Sequence, residues 1–316
     1  MRNSREFAET YVQPLAAGLL VLVTLIGLIG PAIKNPQPHD IPIGLVQVPG
    51  QSQGVFVFNG PFKVATYDSE SAARAAIDSR AIDGALVVGP AGSRLIVAGA
   101  AGDAVTGVIV GAFSGLFQKQ GQALTVEVVH PYASGDPHGL ILFFVVLAVL
   151  VSTFIAGAII GLRRDIGVPR AFLLVLLYAG IAAPVAMVAA TWIAGDYGGG
   201  FWAATGLLAL AAAAVGSVVV GLGRLLGRPG VALAGLVAVL LDLVSSGGPI
   251  GSALLPDAYR ALAPGMPAGQ LYSGIRGAVY FDSAGVTEPI TVLALWLLAG
   301  LVLILLSRLT VRAPNR

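Results

Sequence analysis

Six stretches of this chain are apolar for long enough to cross a lipid bilayer, and nothing else in the sequence constrains the fold as strongly. A spanning helix needs about 20 predominantly apolar residues. Residues 11–33 meet this, with no charge from Leu15 to Ile33. So do 139–162, 171–194, 201–222, 230–247 and 290–307, although 230–247 is short and both it and 201–222 are dominated by Gly and Ala. Only 11% of the 316 residues are charged, against about 25% in an ordinary soluble domain. Mean hydropathy is +0.87. A soluble globular chain is thereby excluded.

The expected fold class is an α-helical polytopic membrane protein: six transmembrane helices, with a small α/β extracytoplasmic domain between the first and second. The boundaries read as an N-terminal stretch 1–10, a first helix 11–33, the domain 34–137, a bundle 138–307 and a tail 308–316. The first helix reads as uncleaved, because its apolar core is longer than a signal-peptide core and no small-residue cleavage site comes after it. Orientation is set by basic residues in short loops. Arg163, Arg164 and Arg170, then Arg224 and Arg228, then Arg308, Arg312 and Arg316 recur at one end of the bundle. The opposite loop 195–200 carries Asp196 and no basic residue. Both termini are therefore expected on the cytoplasmic side and residues 34–137 outside.

Several function classes drop out. Net charge is +2, too little for nucleic-acid binding. There is no cysteine, hence no disulfide, thiolate metal site or cysteine nucleophile. No G-x-x-x-x-G-K-[ST], G-x-S-x-G or H-E-x-x-H occurs, so neither a P-loop, a nucleophile elbow nor a zinc helix is present. No catalytic residue, metal or cofactor is expected in this chain.

The segment 34–137 is long enough for a small domain. Strands are expected at Ile41 to Val48, Val55 to Phe58, Gly84 to Val88, Arg94 to Val97 and Leu124 to Val129. Ser69 to Arg80 reads as an amphipathic helix with Asp68-Ser69 as its cap, and 103–120 as a second helix. With the short Val55 to Phe58 strand set aside, this gives a β-α-β-β-α-β order. Gly107, Gly111 and Gly115 on the second helix make a stripe that admits a close neighbour, either the domain's own sheet or a second protomer. Gly157 and Gly161 form a similar pair within 139–162.

Polar groups near the apolar segments are few. His130, Asp136 and His138 lie near the return to the membrane, but Pro131 and Pro137 deny them helical ligand spacing, and they read as juxtamembrane polar residues. Asp242 is the acidic residue inside a predicted span. A carboxylate there normally faces the bundle interior or a wet cavity; alternatively the span ends near Leu243 and Asp242 sits at the interface. We take it as an intramembrane functional group. After it, Gly247, Gly248 and Pro249 end the span. Asp257 to Pro264 and roughly 268–280 then read as half-buried helices of an external re-entrant or amphipathic segment, 248–289.

With these residues in view, the chain resembles the membrane subunits of type-2 ABC exporters, and within them the YhgE/Pip-like group. The likeness lies in the order of one span, a large external domain and five spans. It lies also in the pattern Gly247, Gly248, Pro249, Leu255, Pro256, Tyr259, Leu262, Pro264, Met266, Pro267, Tyr272 and Arg276 before the last span. The resemblance implies a homodimer or heterodimer of permease subunits in a bacterial cell membrane, in contact with membrane lipids. It also implies a separate ATP-binding subunit docked on the loop between spans two and three, here Arg163, Arg164, Asp165 and Arg170. Members without their own ATPase, acting in secretion or envelope systems, make a membrane scaffold the alternative.

Overall fold

The computed structural model describes residues 7, 11–34, 36–46, 60–89 and 92–311. Along the chain run α1 (Gln13–Lys34), β1 (Ile41–Val46), β2 (Phe62–Tyr67), α2 (Glu70–Asp78), β3 (Gly84–Gly89), β4 (Gly92–Ala98), α3 (Asp103–Lys119) and β5 (Leu124–Val129). The helical part comes next: α4 (Leu140–Leu162), α5 (Val168–Ala194), α6 (Phe201–Leu226), α7 (Arg228–Gly235), α8 (Asp242–Ser245), α9 (Asp257–Leu262), α10 (Pro267–Tyr280) and α11 (Thr287–Val311). A π-helical stretch, Leu236–Leu241, joins α7 to α8.

Among the described residues, five helical segments are long and apolar enough to cross a membrane: Leu140–Leu162, Val168–Ala194, Gly198–Leu226, Arg228–Ile250 and Thr287–Leu309. They match the last five expected spans to within a few residues and are compatible with a multi-pass membrane protein. The first expected span falls on α1, which is apolar over Gly18–Ala32. It touches the bundle near its C-terminal end, where Leu28 and Ala32 pack on Val244, Leu255 and Tyr259.

The centre of the bundle is α6. Its sequence Ala211-Ala-Ala-Ala214, then Gly216, Gly221 and Gly223, leaves a thin backbone that three neighbours can approach closely. Between helices in an apolar solvent such close backbone contact replaces the hydrophobic drive. A Cβ on Gly157 or Gly161 of α4 would meet Val219 and Val220 of α6 at 3.1 and 3.2 Å, so this pair does serve helix packing. From the other side, a Cβ on Gly300 of α11 would lie 2.5 Å from Ser217 Cβ.

The sheet has the order β2-β1-β3-β4-β5, parallel throughout except for the β3–β4 hairpin. Alternation assigns its two faces. Ile43, Leu45, Leu86, Leu95 and Val97 face α3 through Val105, Ile109, Phe113 and Phe117. Val46, Ala85, Ile96 and Ala98 face α2 through Ala73, Ala76 and Ile77. Ser69 caps α2 as expected, its hydroxyl accepting from the Ala72 amide at 3.2 Å. The expected strand at 55–58 lies outside the described residues. The second strand found, β2, is not among those expected.

Two expectations about helix faces are corrected. The stripe Gly107, Gly111 and Gly115 does not meet the sheet, since Ile109, Phe113 and Phe117 take that side of α3. Among the described residues, no atom lies within 4 Å of a Cβ at any of the three glycines. Likewise α10 is not half-buried: Leu271, Tyr272, Ile275 and Ala278 belong to the core of the bundle, and only the short α9 stays at the surface.

These contrasts give a paired prediction. Gly300→Ala should lower the apparent melting temperature of the detergent-purified protein, because overpacking costs about 1–3 kcal/mol. Gly111→Ala should raise it slightly, since alanine is favoured over glycine by about 0.5–1 kcal/mol inside a helix with free space beside it.

Candidate functional site

The polar groups with the most constrained geometry gather where the sheet domain meets α10. Arg80 lies just past α2 and reaches into the bundle. Its Nη1 donates to the Ser273 carbonyl at 3.0 Å and to the Ala284 carbonyl at 3.4 Å, and its Nη2 to the Ser273 hydroxyl at 3.0 Å. Its guanidinium lies 5.3 Å from the Phe281 ring centre. Arg276 crosses in the opposite direction. Its Nη1 donates to the carbonyls of Ala100 and Ala101, in the turn after β4. The Arg276 guanidinium stacks 4.8 Å over the Tyr272 ring, and the Tyr272 hydroxyl donates to the Gly139 carbonyl at 3.1 Å. Apolar plugs accompany the arginines. Phe281 enters the α2 side of the sheet, and Leu254 enters the α3 side.

Between these contacts lie two adjoining cavities of about 430 and 290 Å³. Ser252, Ser273, Arg276 and Glu288 line both. Asp83 lines the smaller one beside Arg80. Burial pushes the Asp83 carboxyl up to about 6, although Arg276 and Arg80 pull it down. Burial, and then the neighbouring Arg276, lower the Arg80 guanidinium to about 10. Desolvation therefore outweighs pairing in this cleft. Two buried ring and guanidinium nitrogens, His39 Nδ1 and Arg276 Nε, have no hydrogen-bond partner among the described residues. The cleft is thus a polar chamber with an unmet donor at Arg276 Nε, suited to holding a small polar group or ordered water.

Asp242 sits one level deeper and is fully buried. The π-helical stretch before it adds a residue to the turn and re-aims the side chains beyond it. The Asp242 Oδ1 accepts from the Ala268 amide at 2.7 Å, while Oδ2 has no partner among the described residues. The reason lies in α10. That helix opens with Pro267, and the residue before it, Met266, has no side chain able to cap it. The first amides of a helix are orphans unless an acceptor is supplied. Asp242 supplies one from across the bundle. Asp242 therefore lies inside the bundle and not at an interface. Nothing in the local sequence marks it as the cap of a helix 26 residues on.

The segment around it uses its glycines and prolines as punctuation. Gly247 and Gly248 take positive φ of 70° and 46°, a region that glycine enters at no steric cost. Pro249 starts a short turn, Pro256 precedes α9, Pro264 lies in the turn after it and Pro267 opens α10. The Tyr259 hydroxyl donates to the Leu28 carbonyl of α1 at 2.8 Å.

The remaining sequence candidates separate. His130 bridges the Tyr280 carbonyl at 2.8 Å and Asp78 at 2.7 Å. Asp136 accepts from the Ile141 and Leu142 amides and so caps α4. His138 lies 3.2 Å from Asp103. At the far end of the bundle, the arginine loop is shorter than expected. It runs over residues 163–167, and Arg170 stands on the first turn of α5. Arg163 pairs with Asp165 through two contacts of 2.9 Å, both side chains exposed. Arg224, missed as a site residue, is 4% exposed and holds this loop by donating to the carbonyls of Ile166 at 3.0 Å and Arg163 at 3.4 Å. Its signal was available, as the one basic residue inside the last turns of a helix otherwise made of small and apolar residues.

This geometry has two measurable consequences. Asp242→Ala should destabilise the detergent-purified protein by about 1–3 kcal/mol, because the Ala268 amide is left unpaired. Asp242→Asn, which keeps an acceptor at Oδ1, should lose much less in the same thermal assay. The folded protein holds the Asp83 proton up to about pH 6, whereas an unfolded carboxylate has released it by about pH 4. The fold binds more protons than the unfolded chain between these values, so stability should fall as pH rises through that window and flatten above it. Asp83→Asn should remove that slope, as read from melting temperatures at pH 4 to 7.5.

Comparison with protein families, with functionally characterised proteins and with solved structures returned no match to this chain.

Proposed function

We propose that this chain is a membrane subunit of an ATP-driven exporter of the type-2 ABC kind. It would span the membrane six times, with α1 as the first crossing, and work as a homodimer or heterodimer, with ATP hydrolysed by a separate subunit. The observation that carries this reading is the order of parts: one apolar helix, a sheet domain, then five long apolar helices, with α10 seated between the bundle and the domain. The basic loops at the end of the bundle away from the sheet support a cytoplasmic placement of that end and of both termini, and an external placement of the sheet domain. Arg163, Arg164, Asp165 and Arg170, all exposed, are the proposed contact with the ATPase. The scarcity of charge along the helices favours a hydrophobic or amphipathic cargo in a bacterial cell membrane.

A second reading, a scaffold of a secretion or envelope system, draws on the open face of α3 at Gly107, Gly111 and Gly115, which no described residue covers. Purification from the native host in mild detergent distinguishes the two. The permease reading expects a stoichiometric ATPase that is lost when Arg163, Arg164 and Arg170 are replaced by Gln. A homo-oligomer bound only to envelope proteins through residues 34–137 would overturn it.

A further inference from the structure

At the end of the bundle away from the sheet, a groove of about 810 Å³ opens between the loop 163–167, the end of α6 and the end of α11. One wall is apolar. Val302, Leu305, Leu306 and Leu309 of α11 line it and are 44 to 69% exposed. The other wall is basic, with Arg164, Arg224 and Arg308 converging on the groove. Among the described residues, the one acidic side chain lining it, Asp165, is already engaged by Arg163. Arg224 is 4% exposed, and its Nε has no hydrogen-bond partner among the described residues. Burying a guanidinium with a donor unmet costs free energy that a nearby acceptor recovers.

We propose that this groove holds one anionic phospholipid. Its phosphate would lie among Arg164, Arg224 and Arg308, and an acyl chain would run along the exposed leucines of α11. The pairing of an apolar wall with three convergent cations argues for this occupant. A soluble anion would leave the leucines unused, and a neutral lipid would leave the arginines unneutralised. Basic pockets between helices at the membrane surface are suited to anionic headgroups. The inference rests on the membrane placement proposed above and not on the ATPase partner.

Native mass spectrometry of the full chain in mild detergent tests it, with phosphatidylglycerol, phosphatidylcholine or inorganic phosphate added in turn. Phosphatidylglycerol should be retained at one per chain in preference to phosphatidylcholine. Arg308→Gln and Arg164→Gln should each weaken that retention about fivefold. Both arginines are exposed, so these variants leave the Arg224 carbonyl contacts in place. Leu305→Gln with Leu309→Gln should weaken retention of either lipid. Equal retention of the two lipids, or retention unchanged in both arginine variants, overturns the proposal. Displacement of phosphatidylglycerol by inorganic phosphate alone would reduce the site to an anion site and overturn the lipid assignment. A co-purified polypeptide that shields residues 302–309 in place of lipid would overturn it too. None of these readouts depends on ATP hydrolysis, so failure here and failure of the exporter reading are separable.

Discussion

An amide buried away from water must find an acceptor, and the arrangement of this molecule turns on how one helix meets that demand. α10 begins inside the bundle core, where water does not supply the missing partner. The Asp242 carboxylate does. Fixing the start of α10 fixes the direction in which its side chains leave it. Tyr272 then reaches Gly139 at the entry to α4, and Arg276 reaches the turn after β4. Phe281, just past the helix, enters the sheet domain. A single carboxylate–amide contact thus stands at the head of a sequence of contacts that joins the bundle to the sheet.

The bundle itself was legible because its segments are long and uniformly apolar, and their ends fall within a few residues of where hydropathy placed them. The β3–β4 hairpin and the Ser69 cap were legible for a different reason: both are settled by residues next to one another in sequence. What escaped was settled at a distance. β2 is an edge strand whose central residues are all exposed, so the sequence Phe62-Lys-Val-Ala-Thr-Tyr67 lacks the buried face that marks a strand. Arg80 meets Ser273 across 193 residues, and Arg276 meets Ala100 across 176. No local pattern announces such partners. The glycine stripe of α3 was legible as a stripe, but which way it faced depended on where Ile109, Phe113 and Phe117 found their core.

The two ends of the bundle solve opposite electrostatic problems. At the sheet end, arginines and carboxylates are mixed, and burial disfavours the charged form of each, as the raised Asp83 and lowered Arg80 show. At the far end, the arginines lining the groove have no acidic partner among the described residues, since Asp165 is engaged by Arg163. The first arrangement holds protein to protein. The second leaves cationic capacity for something that is not part of the chain.

The grip of the helical part on the sheet has a mechanical meaning. Leu254 enters one face and Phe281 the other, like the two jaws of a vice, with Arg80 and Arg276 as cross-ties running in opposite directions. A plate held on both faces cannot slide along its holder, and it cannot peel from one side alone. It can only turn with the holder as one piece. α1 stands beside it, fastened near one end through Leu28 and Ala32.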